Sequence, residues 1–239
     1  NIKYAVVLRG KKKLNVFTDV DEKLLREIAP YIILALENDE KFALIENGGN
    51  KNHVEREFID CFKKIVEQIS NGSKIEEIVN SSMETTELLV NSDRSLLFSF
   101  NSMRNELEVI ASTGLNKNPL KKNRSISSDR GIVGKTFHTG KIFNIPDAYD
   151  CHDFDSCFDL ETQYKTQSLI SVPVYNNRRQ VIGVVQFMNK KDGKPFCNSD
   201  ISNVESFMTF CGMLMENDRL FNESTRAENE LKCFVNVLK

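Results

Sequence analysis

The sequence predicts an α+β domain built on a mostly antiparallel sheet, and three observations predict it. Two pairs of β-branched and apolar runs, 94–100 with 106–112 and 168–175 with 181–189, are each joined by a short polar turn. Helical spacing precedes the first pair, from Lys74 to about Val90, and follows the second from Asn198 or Ser199 onward. The stretch between the pairs is irregular and punctuated by glycine.

Taken in order, residues 2–9 (IKYAVVLR) read as a strand closed by Gly10 and a basic turn. Val20, Leu24, Ile28, Ile32 and Ala35 then recur at three- and four-residue intervals, a helix that Pro30 should kink. ENGGNKN (46–52) is a loop by composition. Val54, Phe58, Phe62, Ile65 and Ile69 restart a helix, which Asn71-Gly72 stops. After the helix from Lys74 comes the hairpin 94–112, turning at NSMRN. Gly131 and Gly134 bracket two β-branched residues at the start of RGIVGKTFHTGKIFNIPDAY, and Gly140 marks a further turn. Residues 150–167 are polar and without clear period. The second strand pair turns at NNRRQ, and the final helix places Ile201, Val204, Phe207 and Cys211 toward the sheet. Farther along, Ala227, Leu231, Phe234 and Leu238 form a short coiled-coil seam, pointing to a parallel dimer.

Composition narrows the function classes. With 239 residues, 40% hydrophobic and 28% charged, the chain is an ordinary globular protein of one domain with extensions or two small ones. A net charge of -2 gives no general attraction to nucleic acid. The longest apolar runs fall far short of the ~20 residues of a membrane span. Six cysteines (Cys61, Cys151, Cys157, Cys197, Cys211, Cys233) lack paired spacing, so reduced thiols in a cytoplasmic protein are expected, not a disulfide framework or zinc ribbon. Three histidines, His53, His138 and His152, are too few for a His-rich hydrolytic metal site, and no metal is expected. No Ser-His-Asp set or phosphate-binding Gly-Lys-Ser/Thr loop is present, so no catalytic residues are assigned. Starting in a strand without Met, the chain reads as a piece of something longer.

The runs GIVGKTFHTGKIFNIPDAY, YKTQSLISVPV and VIGVVQFMNKKDGKPFCNSDISNVESF closely resemble the GAF domains of cyclic-nucleotide phosphodiesterases and some adenylyl cyclases. The family's Asn-Lys…Phe-x-x-x-Asp-Glu signature is met by Asn189, Lys190, Phe196 and Asp200, with Ile201 in place of Glu. The resemblance implies a structural lock in which Lys190 and Asp200 pair. It covers roughly residues 72–222. It also implies a GAF fold, roughly six antiparallel strands with helices on one face and a ligand pocket on the other, joined to long connecting helices. VVLRGKKKLNVFTDVDEKL (6–24) resembles the end of another such domain through Phe17, Asp21 and Glu22. Residues 1–46 then read as the C-terminal remnant of a preceding domain, 47–71 as a linker helix, and 223–239 as the start of a signalling helix.

The resemblance implies a cyclic-nucleotide ligand, cGMP or cAMP, and no further cofactor. Such a ligand carries a purine, a ribose and one phosphate charge, and a helix N-terminus with close-approach glycines accepts that charge without Lys or Arg. Ile132 and Val133, between Gly131 and Gly134, supply backbone N–H groups there, and the family's equivalent pair cradles the phosphate. By the same resemblance Ser95 and Thr113 line the base, Thr162 and Thr166 reach the ligand from the lid, and Gln186 stands at the far wall. An amide both donates and accepts, so Gln186 leaves the choice of purine open. Cys151-His152 matches the dipeptide by which bilin-carrying GAF domains attach chromophore, a weak motif beside the phosphodiesterase pattern around it.

The expected function is therefore regulatory: a ligand-binding domain that controls, in cis, an attached phosphodiesterase or cyclase catalytic domain, dimeric through its helices. The alternative is a domain without ligand that serves as a dimerisation scaffold.

Overall fold

The structure is a computed structural model that describes residue 68 and residues 73–114, 124–176 and 178–237; within the last helix it describes side chains through Glu216 and those of Arg219 and Leu220. The strand expected at 2–9, the helices expected at 20–35 and 54–69, and the domain segments 1–46 and 47–71 lie outside the described residues, Gln68 excepted.

Helix α1 (Ile75–Leu89) opens with Glu76 and Glu77, carboxylates placed where the helix dipole favours them. Its buried Ser82 and Thr86 donate back to the carbonyls of Ile78 and Ser82, which lets hydroxyls sit on an apolar face. Asn91, in the left-handed region at φ 54, turns the chain into β1 (Ser92–Asn101). The hairpin to β2 (Glu106–Thr113) is fastened by Asn101, whose Oδ1 accepts from the N–H groups of Met103 and Arg104. Then follow β3 (Ser125–Ser127), α2 (Gly131–Thr139), β4 (Phe143–Ile145), α3 (Cys157–Thr162), β5 (Leu169–Tyr175), β6 (Val181–Lys190) and α4 (Asn198–Val237).

The six strands form one sheet in the order β3-β2-β1-β6-β5-β4, with every pairing antiparallel. This is the expected α+β architecture. Helices α1 and α4 cover one face, where Met83, Leu97, Phe187, Phe207 and Phe210 are fully buried. Each such side chain removed from water contributes roughly 1.5–3 kcal/mol. Gly212 lets α4 lie directly on β5: a Cβ there would stand 2.2 Å from the Tyr175 carbonyl oxygen. The other face holds a second core of Leu96, Phe98, Ile132, Val184 and Met188, covered by α2 and by the 148–164 segment that contains α3.

Helix α4 begins at Asn198, so Asn198 and Ser199, expected as caps, lie within its first turn. The Cys197 N–H instead donates to Asp200 Oδ2 at 2.7 Å, the reach-back of a carboxylate in the first turn. The α4 backbone is helical to Val237, and the side chains of the expected seam lie outside the described residues.

Candidate functional site

The site lies on the α2/α3 face. Helix α2 enters at Gly131, in the left-handed region at φ 67, where a side chain would press on Asp155 at 3.1 Å. One turn later Gly134 packs so tightly that a Cβ would stand 2.3 Å from the Ser128 carbonyl oxygen. These glycines seat the helix N-terminus against the sheet edge, with Ile132 and Val133 buried beneath it. The first-turn N–H groups of any helix lack intrahelical partners, and the dipole there favours an anion. Two loop carboxylates lie beside this turn. Asp155 pairs with Arg130, Asp153 with Lys135, and Asp155 Oδ1 accepts from the Cys157 N–H at 3.0 Å.

Behind α2 runs a buried polar chain. Thr136 donates to the Ile132 carbonyl, its hydroxyl lies 2.7 Å from that of Ser171, and Gln186 Nε2 donates to Ser171 Oγ at 3.4 Å. Gln186 is thus brought to the same face as Ile132 and Val133.

The lid is held by two charged side chains that the sequence reading did not single out. Asp159 of α3 is buried, and its carboxylate accepts the Thr166 N–H and hydroxyl at 2.7 Å each and the Tyr149 hydroxyl at 3.0 Å. Arg94 of β1 is only 7% exposed; it donates from Nη1 to Thr162 Oγ1 at 3.0 Å and lies with its guanidinium carbon 3.7 Å from the centre of the Tyr164 ring. Burial holds the Arg94 pKa below the ordinary arginine value, against the opposing pull of Tyr164, Asp93 and Asp159. Thr162 and Thr166 therefore both reach this face, each already engaged. Phe158 of α3 meets Phe98 edge-on at 5.8 Å between ring centres.

Ser95 and Thr113 are not brought to this face. Along β1, Arg94, Leu96 and Phe98 point to the α2/α3 side, so Ser95 points to the helical side. The Ser95 N–H donates to Thr113 Oγ1 at 3.1 Å, the two hydroxyls lie 2.5 Å apart, and Thr113 donates on to Glu87 of α1. Burial, aided by Asp93 and Glu84 and opposed by Lys191 and the Ser95 hydrogen bond, pushes the Glu87 carboxyl up to about 7. The strand positions beside Ser95 that face the site are Arg94 and Leu96. The alternation that separates them is obscured in the sequence because both faces of β1 are covered and both are apolar.

The four lock positions assemble at the end of β6. Lys190 Nζ donates to Asp200 Oδ2 at 2.6 Å, with the two side chains 14% and 8% exposed. Burial pulls the Lys190 pKa down, but the Asp200 hydrogen bond and charge outweigh it and hold it above the ordinary lysine value. Asn189, at φ 52, accepts from the Gln167 and Ser168 N–H groups and donates to the Lys165 carbonyl, so it ties β6 to the end of the lid. Asn144 donates to the Phe196 carbonyl, and Phe196 is buried in the helical core. Ile201, standing where the signature has Glu, packs against that same core.

Cys151 packs against the second core while the His152 side chain is fully exposed. Among the described residues no group of three or more His, Cys, Asp or Glu is placed to hold a metal ion. Among them, too, no helix is long and apolar enough to cross a membrane.

A six-stranded antiparallel sheet with helices on one face and a second face covered by α2 and α3, with the α2 glycines and the β6 lock in place, defines one class of α+β module. The GAF domain family model matches residues 74–215, and the chain belongs to that family. It is 29% identical over 196 residues to the dual 3',5'-cyclic-AMP and -GMP phosphodiesterase 11A of Takifugu rubripes, covering 79% of this chain and 21% of that protein. This chain thus spans about a fifth of that relative's length. Solved structures share the fold, among them two phosphotransferase GAF domains. The GAF domain of a Coxiella burnetii phosphoenolpyruvate-protein phosphotransferase superposes with a TM-score of 0.59 at 12% identity, covering 70% of this chain and 98% of that one. Its Acinetobacter counterpart gives 0.57 at 19% identity, covering 68% and 94%.

Proposed function

We propose that residues 74–215 bind a purine 3',5'-cyclic nucleotide on the α2/α3 face and regulate a catalytic domain attached in cis. The observation that carries this reading is the convergence on one face of the α2 N-terminus (Ile132, Val133), the lid threonines Thr162 and Thr166, and Gln186. An anionic phosphate suits the helix terminus, while the lid hydroxyls and the amide suit a sugar and a base edge. Similarity to a dual 3',5'-cyclic-AMP and -GMP phosphodiesterase supports the ligand class and favours a phosphodiesterase over a cyclase as the attached catalytic domain. In this reading the domain is a regulator and not a catalyst, cytoplasmic, dimeric through its long helices, and without cofactor or metal. Ligand entry behind the 148–166 segment shifts the population of lid states, and α4, packed on β5 and running on to Val237, carries the shift outward.

A second reading, a scaffold without ligand, is favoured by one observation: the lid threonines are already engaged by Arg94 and Asp159, and Phe158 packs onto Phe98. Isothermal titration of the chain with cGMP and cAMP separates the two. Saturable heat with at least one nucleotide supports the sensor; none with either at micromolar protein leaves the scaffold.

A further inference from the structure

Arg94 is unusual among the buried groups of the site. It stands on the strand that forms the floor of the α2/α3 face and is more than nine-tenths buried. Its face is covered by Tyr164, and Nη1 is spent on Thr162. The Nε–H is fully buried and has no hydrogen-bond partner. Asp159, the nearest buried carboxylate on the lid, gives its oxygens to Thr166 and Tyr149. A buried donor on a charged group without an acceptor is costly, and proteins keep such groups chiefly where something else completes them.

The edge that carries the unpartnered Nε–H has a definite chemistry. In a guanidinium the Nε–H and the adjacent Nη2–H are parallel and point the same way, a two-donor fork with no acceptor. Such a fork matches two adjacent acceptors in a plane. On a purine those are O6 and N7, both acceptors when the ring carries a 6-oxo group; a 6-amino group turns one of them into a donor that opposes the arginine. Stacking on Tyr164 holds the fork's plane, so the specificity is geometric as well as electrostatic.

We infer that Arg94 is the specificity-determining residue of the site and that it reads the O6/N7 edge of a 6-oxopurine, so that the domain prefers cGMP to cAMP. This rests on the cyclic-nucleotide reading above and settles what Gln186, which both donates and accepts, leaves open. Arg94 lies at the lid end of the site through Thr162 and Tyr164, and α2 supplies the phosphate subsite from the other covering element.

The test is titration of the 239-residue chain with cGMP, cAMP and inosine 3',5'-cyclic monophosphate, which keeps O6 and N7 but lacks the 2-amino group. The expected result is that cGMP and the inosine analogue bind at least about tenfold tighter than cAMP, the discrimination of one good bidentate pair. Arg94→Lys, which keeps the charge and loses the fork, is expected to abolish that preference while cAMP affinity changes little. Equal or tighter cAMP binding in the unmodified chain, or a preference that survives Arg94→Lys, overturns the assignment of Arg94 and leaves the nucleotide reading intact. Failure of all three nucleotides to bind overturns that reading as well. Where Arg94→Lys does not fold, equal or tighter cAMP binding in the unmodified chain still overturns the assignment.

Discussion

Asp159 and Thr166 form a closed double hydrogen bond, in which one carboxylate takes both the backbone N–H and the hydroxyl of the threonine at 2.7 Å. It joins the six-residue α3 to the lead-in of β5, and with Arg94–Thr162 it adds polar ties to a segment that Phe154, Phe158 and Tyr164 also pack onto the sheet.

Removing that carboxylate should loosen the lid before it unfolds the domain. Asp159→Ala leaves a buried N–H and hydroxyl unpartnered and is expected to cost about 1–3 kcal/mol. Hydrogen exchange should accelerate at residues 157–167, with the helical core around Met83 and Phe207 unchanged. Denaturant unfolding and exchange mass spectrometry together check this.

Breaking the β6–α4 lock should be more damaging. Lys190 and Asp200 are largely buried, so Lys190→Ala leaves an uncompensated carboxylate and is expected to cost about 3–5 kcal/mol. Replacing both, as Lys190→Met with Asp200→Leu, should recover part of that loss. Asp200 also caps α4 through the Cys197 N–H, so recovery should stop short of full. The comparison of unfolding midpoints is the measurement.

Gly134→Ala should disturb the α2 entry. The added methyl would stand 2.3 Å from the Ser128 carbonyl oxygen, a backbone atom that cannot swing aside. A loss of about 1–3 kcal/mol is expected from overpacking. A fall in nucleotide affinity beyond that of Gly193→Ala should accompany it, since a methyl at Gly193 strains a backbone at φ 72 but meets no neighbouring atom.

Glu87 should make stability fall across neutral pH. Its carboxyl stays protonated in the folded state up to about 7, against 4.5 as the ordinary value. The folded state therefore binds more protons in that window, and the contribution present below pH 4.5 is lost as pH rises through 7. Because Glu87 is half-buried, solvent screens the effect. Melting temperature measured from pH 4.5 to 7.5 should decline less in Glu87→Gln than in the unmodified chain.

Much of the fold was legible because long elements carry their own period. The helix ahead of β1, both hairpins, the glycine-bracketed start of α2 and the long last helix were all read within a few residues. Strands β3 and β4, three residues each, are too short to show alternation, and the six-residue α3 is too short to show a helical period. The site was harder. Ile132, Val133, Thr162, Thr166 and Gln186 share one face, but Ser95 and Thr113 fell on the other. A one-residue offset along a strand reverses the face, and the bulge at Leu97/Phe98 shifts the β1–β2 register as well. Arg94 and Asp159 join this face only through partners 68 and 7 residues away, which no local pattern encodes.

The central claim is that a cyclic nucleotide occupies the α2/α3 face and orders the lid. Hydrogen exchange of the chain with and without saturating cGMP tests it most directly. The account predicts new protection at residues 131–134 and 157–167, carried into the first turns of α4. Protection confined to α1 and α4, or none anywhere, would contradict it.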